Sequence, residues 1–210
     1  MEGNTSKMIR LLSRIKSEMN GEAADYMQSS GLVYPLNYGV ASATVRSIAK
    51  DFAPDHSLAE LLYRQQVREL RLAAATVADP TKVNEANADF WKQGITTAEI
   101  AENLGSFLLS RSDAADSIAR TWIESSNENV RYCALITAVK AVRSGKIGDD
   151  TIEHIVKTMK DAADTPTLRS LGSLVTLYAL GNEAKRRRIE NLVRTEKTDC
   201  YLFLLQELSA

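Results

Sequence analysis

The sequence predicts an all-α protein whose helix pairs stack into a solenoid. Nearly every segment carries apolar residues at helical spacing, and the joints between segments are short. With 10 Gly and 4 Pro, the chain has few of the turn-forming residues that an all-β fold needs. The one stretch that could be read as a strand, LVYPLNY at residues 32–38, contains Pro35 and Asn37 and is predicted to be a loop.

The helical segments follow one another along the whole chain. They cover residues 10–19, 42–52, 58–67, 67–78, 85–93, 97–110, 113–125, 129–142, 150–162, 167–180, 183–194 and 199–208. Their joints are short polar or glycine-containing stretches such as ADPT, SGKIGDD, DTP and ALGNE. Since no joint is long enough to divide two domains, residues 1–210 are predicted to form a single domain.

A weak repeat runs through these helices. VRELRLAAATVA, ENVRYCALITAV and TLRSLGSLVTLYA share an early arginine, namely Arg68, Arg131 and Arg169, and TAEIAENLGSFLL fills the first gap. The steps are about 31, 32 and 38 residues. Helix pairs at such a period indicate an α-solenoid. Since the usual HEAT period is about 40–47 residues, these would be short or irregular HEAT-like repeats. The alternative is a helical bundle without repeats.

The stretch WIESSNENVRYCAL places a cation where a helix is expected to begin. Ser125 and Glu128 have the spacing of a capping box, which predicts a helix start here. Arg131 then lies in the first turn, where the positive end of the helix dipole disfavours a cation by about 0.3–1 kcal/mol. Arg131 is therefore expected to face an anion, either a neighbouring carboxylate or an external phosphate.

The overall charge argues against a strongly basic nucleic-acid binder. Lys and Arg number 26 against 27 acidic residues, a net charge of -1. Residues 131–210 hold 13 basic and 10 acidic groups, so this third of the chain is the one expected to face an anion.

Cofactor, metal and membrane signals are weak. Cys133 and Cys200 are too few for a disulfide framework, and His56 and His154 stand alone without a metal-binding motif. We therefore expect no metal and no other cofactor. The sequence has no long apolar run, so no membrane association is predicted and a cytoplasmic location is expected.

Four stretches together resemble one known family. They are ADYMQ with YGVASATVRSIAKD, which contains Gly39, Val40 and Arg46, then VRELRLAAA, WIESSNENVRYCAL, and RSLGSLVTLYA with Gly172. In their order and spacing they are similar to the HEAT-like-repeat DNA alkylation-repair family, bacterial glycosylases that release alkylated purines. The resemblance spans most of residues 24–180.

This resemblance implies a concave, positively charged face that binds duplex DNA. The resemblance also implies an active centre with two tryptophans, a carboxylate and an arginine beside the lesion. The arginine matches Arg131, whose anion would then be a DNA phosphate. Glu102 takes the place of the carboxylate, while the tryptophan positions fall on Ala98 and Ser173.

The missing tryptophans weaken the prediction of base excision. A carboxylate such as Glu102 can stabilise the cation that develops on the sugar during depurination. Aromatic walls would attract a cationic purine by about 0.5–2 kcal/mol each, and Ala98 and Ser173 offer no such wall. Trp91 and Trp122 are expected to pack in the core. We therefore expect DNA binding with weak excision or none.

The candidate DNA contacts are basic residues of the C-terminal part of the chain. The run KRRR at residues 185–188 and the cluster at residues 140–146 could contact phosphate, or could be solvated helix faces. The full set is Arg131, Lys140, Arg143, Arg169, Arg186, Arg187 and Arg188. A rival interpretation is a non-catalytic protein-interaction scaffold, since solenoids commonly bind peptides and this chain is slightly acidic.

Overall fold

The computed structural model describes residues 2–209 and confirms the all-α prediction. Within this range there is no strand, and residues 32–38 form a loop with an isolated bridge between Leu36 and Val67. The α-helices are α1 (Asn4–Lys16), α2 (Gly21–Ser29), α3 (Ser42–Ala49), α4 (His56–Tyr63), α5 (Arg68–Val77), α6 (Ala88–Gln93), α7 (Ala98–Phe107), α8 (Ala115–Trp122), α9 (Glu128–Ala141), α10 (Asp149–Thr158), α11 (Thr165–Ala179), α12 (Glu183–Val193) and α13 (Asp199–Ser209).

Helix α2 is the element that the apolar pattern did not predict. None of its residues is buried, so its sequence carries no periodic apolar face. It begins instead through a local interaction, because the side chain of Asn20 accepts a hydrogen bond from the Ala23 N–H at 3.0 Å. The other helices overlap the predicted segments, and most of their ends differ by a few residues; α1 begins at Asn4, six residues before the predicted start at residue 10.

After α3 the helices form successive pairs that lie in two layers. The second members α5, α7, α9 and α11 pack side by side and continue the layer that α3 begins, while α4 packs against α5, α8 against α9, and α10 against α8 and α11. The segments of the weak repeat are α5, α7, α9 and α11, which together with α3 we call the inner layer. The repeat therefore marks one structural position in each helix pair, as a HEAT-like solenoid requires.

The inner-layer helices run in the same direction. Arg68 at the start of α5 binds Glu99 at the start of α7, and Arg46 near the end of α3 lies over Phe107 at the end of α7. Between α7 and α9, a Cβ atom on Gly105 would lie 3.0 Å from the carbonyl oxygen of the buried Cys133, so this glycine lets the two helices approach closely. As a result, the helix N-termini form one edge of the layer and the C-termini form the other.

The start of α9 differs from the predicted capping box. The N-cap is Asn127, whose side chain accepts hydrogen bonds from the N–H groups of Asn129 at 2.9 Å and Val130 at 3.4 Å. Ser125 lies outside the helix, and its hydroxyl accepts a bond from the Asn127 N–H. An asparagine oxygen serves a cap as well as a serine oxygen, so spacing alone did not distinguish the two residues.

Gly39 fixes the loop that connects α2 to α3. Its φ is +70°, a conformation that glycine adopts at little cost, and a Cβ atom there would lie 1.9 Å from the carbonyl oxygen of Asn20. The adjacent Tyr38 carbonyl accepts the Asn20 N–H at 2.9 Å, so the loop lies directly on the turn before α2. Glycine at this position is required both by backbone conformation and by space.

We expect Gly39→Ala to destabilise the protein far more than Gly181→Ala. Gly181 has a similar φ of +67° but nothing within 4 Å of the added methyl group, so it reports the backbone strain alone. That strain should cost about 1–2 kcal/mol at both positions, and the clash should add about 1–3 kcal/mol at Gly39. Urea unfolding followed by circular dichroism measures both, and equal losses would contradict the close contact with Asn20.

Candidate nucleic-acid interface

Cations are concentrated at the C-terminal edge of the inner layer. We define the basic edge as the side chains near the ends of α3, α7 and α9 that have no ion-pair partner within residues 2–209: Arg46, Lys50, Arg111, Lys140 and Arg143. A cation near a helix C-terminus is favoured by the helix dipole, which explains why these residues are stable there without carboxylate partners. Their charges remain available to an external anion.

Two clefts open along the basic edge. The basic cleft, of about 560 Å³, is lined by Arg46, Lys50 and Arg111 together with apolar side chains and contains no carboxylate. The Glu102 cleft, of about 360 Å³, is lined by residues of α3, α7 and α9, namely Ser42, Arg46, Glu99, Glu102, Asn103, Ser106, Phe107 and Lys140. Arg46 and Phe107 line both clefts, so the two are neighbours that share one wall.

The shared wall is an arginine stacked on an aromatic ring. The guanidinium carbon of Arg46 lies 4.5 Å from the centre of the Phe107 ring, within the range of a cation–π contact. Because Phe107 holds the guanidinium without neutralising it, Arg46 stays charged and oriented between the clefts.

Glu102 is an exposed carboxylate in a cleft that is also lined by the cations Arg46 and Lys140 and by the carboxylate of Glu99. Among residues 2–209 it forms no hydrogen bond or ion pair through its side chain. Burial raises the pKa of Tyr132, and the negative charge of Glu102 raises it further, which places Tyr132 of α9 within the field of this carboxylate. Glu102 is thus accessible to a ligand that enters the cleft between α7 and α9.

No aromatic wall stands at the positions that the family resemblance assigns to tryptophan. Ala98 and Ser173 are exposed small residues at the start of α7 and in the middle of α11. Trp91 and Trp122 are both buried, as the sequence predicts, and Trp91 packs against the ring of Tyr63. Neither tryptophan can stack on a base in this arrangement.

Arg131 has found partners within the chain. Its guanidinium donates to the carbonyl oxygens of Ser125 at 2.8 Å and Ser126 at 3.2 Å, and the carboxylate of Glu128 is 3.9 Å away. The partial negative charges of these carbonyl oxygens, together with the Glu128 carboxylate, offset the unfavourable position of a cation at the start of α9. The adjoining cleft, of about 620 Å³, is also lined by the acids Glu124, Glu128, Asp161 and Asp164.

The arginine run of α12 is also occupied. Arg188 binds Asp150 at 2.7 Å and contacts Asp149 and Glu153 of α10, and Arg187 pairs with Glu183 at 3.0 Å. Arg186 donates to the carbonyl oxygen of Leu208. Binding of DNA phosphate here would compete with these intramolecular partners.

The structure therefore groups only some of the predicted site residues. Glu102 and Lys140 line one cleft, and Arg143 lies one turn beyond Lys140 on the same edge. Arg169 is exposed on the first half of α11, apart from that cleft. Sequence reasoning assigned no site role to Arg46, Lys50, Asn103, Phe107 or Arg111. The spacing of Arg46 and Lys50, four residues apart on one helical face, was the available signal.

A buried charge network supports the N-terminal side of the Glu102 cleft. Arg68, only 1% exposed, donates to Glu99 at 2.8 Å through Nε and to Glu69 at 3.0 Å. Burial alone would lower the pKa of Arg68, but hydrogen bonds and charge attraction from Glu99 and Glu69 outweigh it and raise the pKa. Glu69 in turn accepts the backbone N–H groups of Tyr38 and Val40.

Tyr34 completes this network from the loop before α3. Its hydroxyl donates to the Glu99 carboxylate at 2.7 Å and lies 2.8 Å from the hydroxyl of Thr97, the N-cap residue of α7. Burial and the hydrogen bond to Glu99 raise the pKa of Tyr34 well above its usual value, so the phenol stays neutral and remains a donor. The loop, α5 and α7 are thereby held in one arrangement.

Comparison with known proteins agrees with this architecture. A family model described as DNA alkylation repair enzyme matches residues 11–167, about three quarters of the chain. The chain belongs to this DNA alkylation repair family. The predicted resemblance is thus confirmed at the level of the family.

A solved structure shares the fold of this family member. It is described as "a new family of proteins related to the HEAT-like repeat DNA glycosylases with affinity for branched DNA structures". The two chains superpose with a TM-score of 0.71 at 18% identity, covering 95% of this chain and 93% of the other. The likeness confirms the HEAT-like helical fold. A search of curated protein sequences gave no match.

Two kinds of feature were not found in the described part of this repair-family member. Over residues 2–209, no group of three or more His, Cys, Asp or Glu side chains is arranged to hold a metal ion. In that same range, no helix is both long enough and apolar enough to cross a membrane.

Arg68→Met should destabilise this family member by about 3–5 kcal/mol, because it leaves buried carboxylates without their cation. The control is Arg187→Met, which removes an exposed ion pair with Glu183 and should cost less than about 1 kcal/mol. Chemical denaturation of both variants measures the difference. A loss in Arg68→Met no larger than in the control would show that the network does not hold the fold together.

Proposed function

We propose that this chain is a DNA-binding member of the alkylation-repair family that holds the sugar–phosphate backbone along its basic edge. The observation that carries the proposal is the set of cations at the ends of α3, α7 and α9, which lack carboxylate partners within residues 2–209. When such cations neutralise DNA phosphates, the counterions condensed on the DNA are released. This release supplies most of the affinity of non-specific DNA binding.

Only some of the basic residues that the sequence suggested as DNA contacts are proposed to bind DNA. Lys140 and Arg143 belong to the basic edge, and they are joined by Arg46, Lys50 and Arg111. Arg131 and Arg188 are already paired inside the chain, and the acids around them would repel phosphate. Arg169 is exposed on the inner layer and could reach a backbone that extends beyond the edge.

Branched DNA is the form of DNA that we propose to test beside plain duplex. The support is the description of the neighbouring structure, whose family has affinity for branched DNA, together with the shared fold. A single row of cations on a chain of net charge -1 is suited to modest, salt-sensitive binding. A junction, which presents several backbones to one edge, would offer such a surface more contacts than a straight duplex.

Base excision is proposed to be weak or absent. Glu102 could stabilise a sugar cation, but Ala98 and Ser173 provide no aromatic wall for a cationic purine. The loss of each aromatic wall removes about 0.5–2 kcal/mol of cation–π attraction to the purine. The chain therefore retains the carboxylate of a glycosylase-like centre without the surfaces that would hold the lesion beside it.

The double variant Lys50→Gln with Lys140→Gln should weaken binding to duplex and junction DNA at least about tenfold near 0.1 M salt. The plot of log K against log salt should become shallower by about 2, because each phosphate contact contributes about -0.9 to the slope. Fluorescence anisotropy with labelled DNA over a salt series measures both effects.

The matched control for that experiment is Arg187→Gln with Arg194→Gln, which removes the same net charge from exposed positions on α12. An equal loss in this control would mean that net charge and not the basic edge controls binding. If the unmodified chain binds no DNA of either form at low salt, the proposal is wrong and the protein-interaction scaffold is favoured.

Incubation with duplex DNA containing 7-methylguanine should release the base only slightly faster than the spontaneous reaction, or no faster, because the aromatic walls are missing. Release is measured by chromatography of the free base, with Glu102→Gln run in parallel. Rapid release that Glu102→Gln abolishes would show that the carboxylate suffices for excision. Rapid release that survives this change would show that Glu102 is not the catalytic group.

A further inference from the structure

Asn103 lines the Glu102 cleft and contains a buried polar atom without a partner. It lies on α7, is only 5% exposed and lines the cleft beside Arg46 and Lys140. Its Oδ1 atom is buried and has no hydrogen-bond partner within residues 2–209. Buried polar atoms in folded proteins nearly always have partners. Because Asn103 lines an open cleft, a ligand in that cleft could complete its hydrogen bonding.

The chemistry of an amide narrows the class of ligand. A carboxamide offers a donor and an acceptor side by side, and rotation about its last torsion exchanges their places. Such a pair matches the edge of a nucleobase, which also carries adjacent donors and acceptors. A simple phosphate or carboxylate would satisfy only the donor.

The same cleft contains a surface suited to a flat ring. The guanidinium of Arg46 lies 4.5 Å from the centre of the Phe107 ring, and both residues are only half-buried. Unpaired bases stack on arginine guanidinium planes and on aromatic side chains. Lys140 lines the same cleft and could neutralise a nearby phosphate.

The size of the cleft favours a single base. Its volume of about 360 Å³ falls within the range of about 300–1,000 Å³ that is typical of small-ligand sites. A base within a duplex could enter only after it unstacks and unpairs, which costs free energy. An unpaired base needs much less free energy to enter.

We infer that the Glu102 cleft receives one unpaired nucleotide of a DNA branch or gap. Asn103 hydrogen-bonds the edge of its base, and the Arg46–Phe107 pair stacks on its face, with Lys140 beside its phosphate. The inference rests on the proposed DNA binding and adds a reason for preferring branched DNA wherever a branch leaves a nucleotide unpaired.

The test compares two labelled three-way junctions that differ by one unpaired adenosine nucleotide at the branch point. We expect the chain to bind the junction with the unpaired nucleotide at least about fivefold more tightly, as measured by fluorescence anisotropy at fixed salt. Asn103→Leu keeps the side-chain volume but removes the amide. It should bring the affinity ratio close to one while leaving the affinity for the fully paired junction within about twofold.

A second variant tests the stacking surface independently. Arg46→Lys keeps the positive charge but loses the planar group, so it should also bring the ratio close to one without changing the salt slope. The matched control Arg143→Lys makes the same change on the basic edge outside the cleft and should keep the full ratio. Asn103→Leu should not lower the melting temperature, because it removes a buried polar group without a partner.

The outcomes separate this inference from the proposed function. Equal binding of the two junctions by the unmodified chain, or a ratio that persists in both variants, overturns the nucleotide site while DNA binding stands. A ratio lost in Arg143→Lys as well would assign the preference to the edge and not to the cleft, which also overturns the inference. Failure to bind either junction at low salt refutes both the site and the DNA-binding proposal.

Discussion

The buried guanidinium of Arg68 is the interaction on which the arrangement of the candidate site depends. It ties α5 to Glu99 of α7 and, through Glu69, to the backbone of the loop at residues 38–40. A buried charge is costly unless other groups pair with it, so these three segments are expected to come together as a unit. Glu102 and Asn103 follow Glu99 within one turn of α7, and their positions are therefore set by a network that they do not join.

The parallel inner layer explains why a chain of nearly neutral charge can have a basic surface. Because the helices α3, α5, α7, α9 and α11 point the same way, the negative ends of their dipoles lie along one edge and stabilise cations there. Acids gather around the opposite ends, at Glu99, Glu128 and Asp164 among others. The net charge of -1 averages over this separation. A composition-based argument against nucleic-acid binding therefore fails to detect a basic edge of this kind.

The sequence predicted the candidate site only in part. Lys140, Arg143 and Glu102 were identified from charge and from the family resemblance, and the structure places them on or beside the basic edge. Arg188 shows why the rest could not be predicted, since its partners Asp149, Asp150 and Glu153 lie 35 to 39 residues earlier in the chain. A sequence displays the sign of a charge, but whether another helix neutralises it depends on packing. Asn103 was missed for a related reason, because an unmatched amide is visible only when its surroundings are known.

Helical periodicity and the short joints by themselves determined the all-α class, and the weak arginine repeat favoured a solenoid over a bundle, because each is a local property of consecutive residues. The repeat also marked α5, α7, α9 and α11 as related helices, although it did not show that they share one layer with α3. Only the tertiary structure decided which arginines are free. Arg46 remains available because its neighbour is the uncharged ring of Phe107, while Arg131 is bound by the loop that precedes its own helix. Burial and charge pairing arise between distant segments, and for that physical reason they could not be read from the order of residues alone.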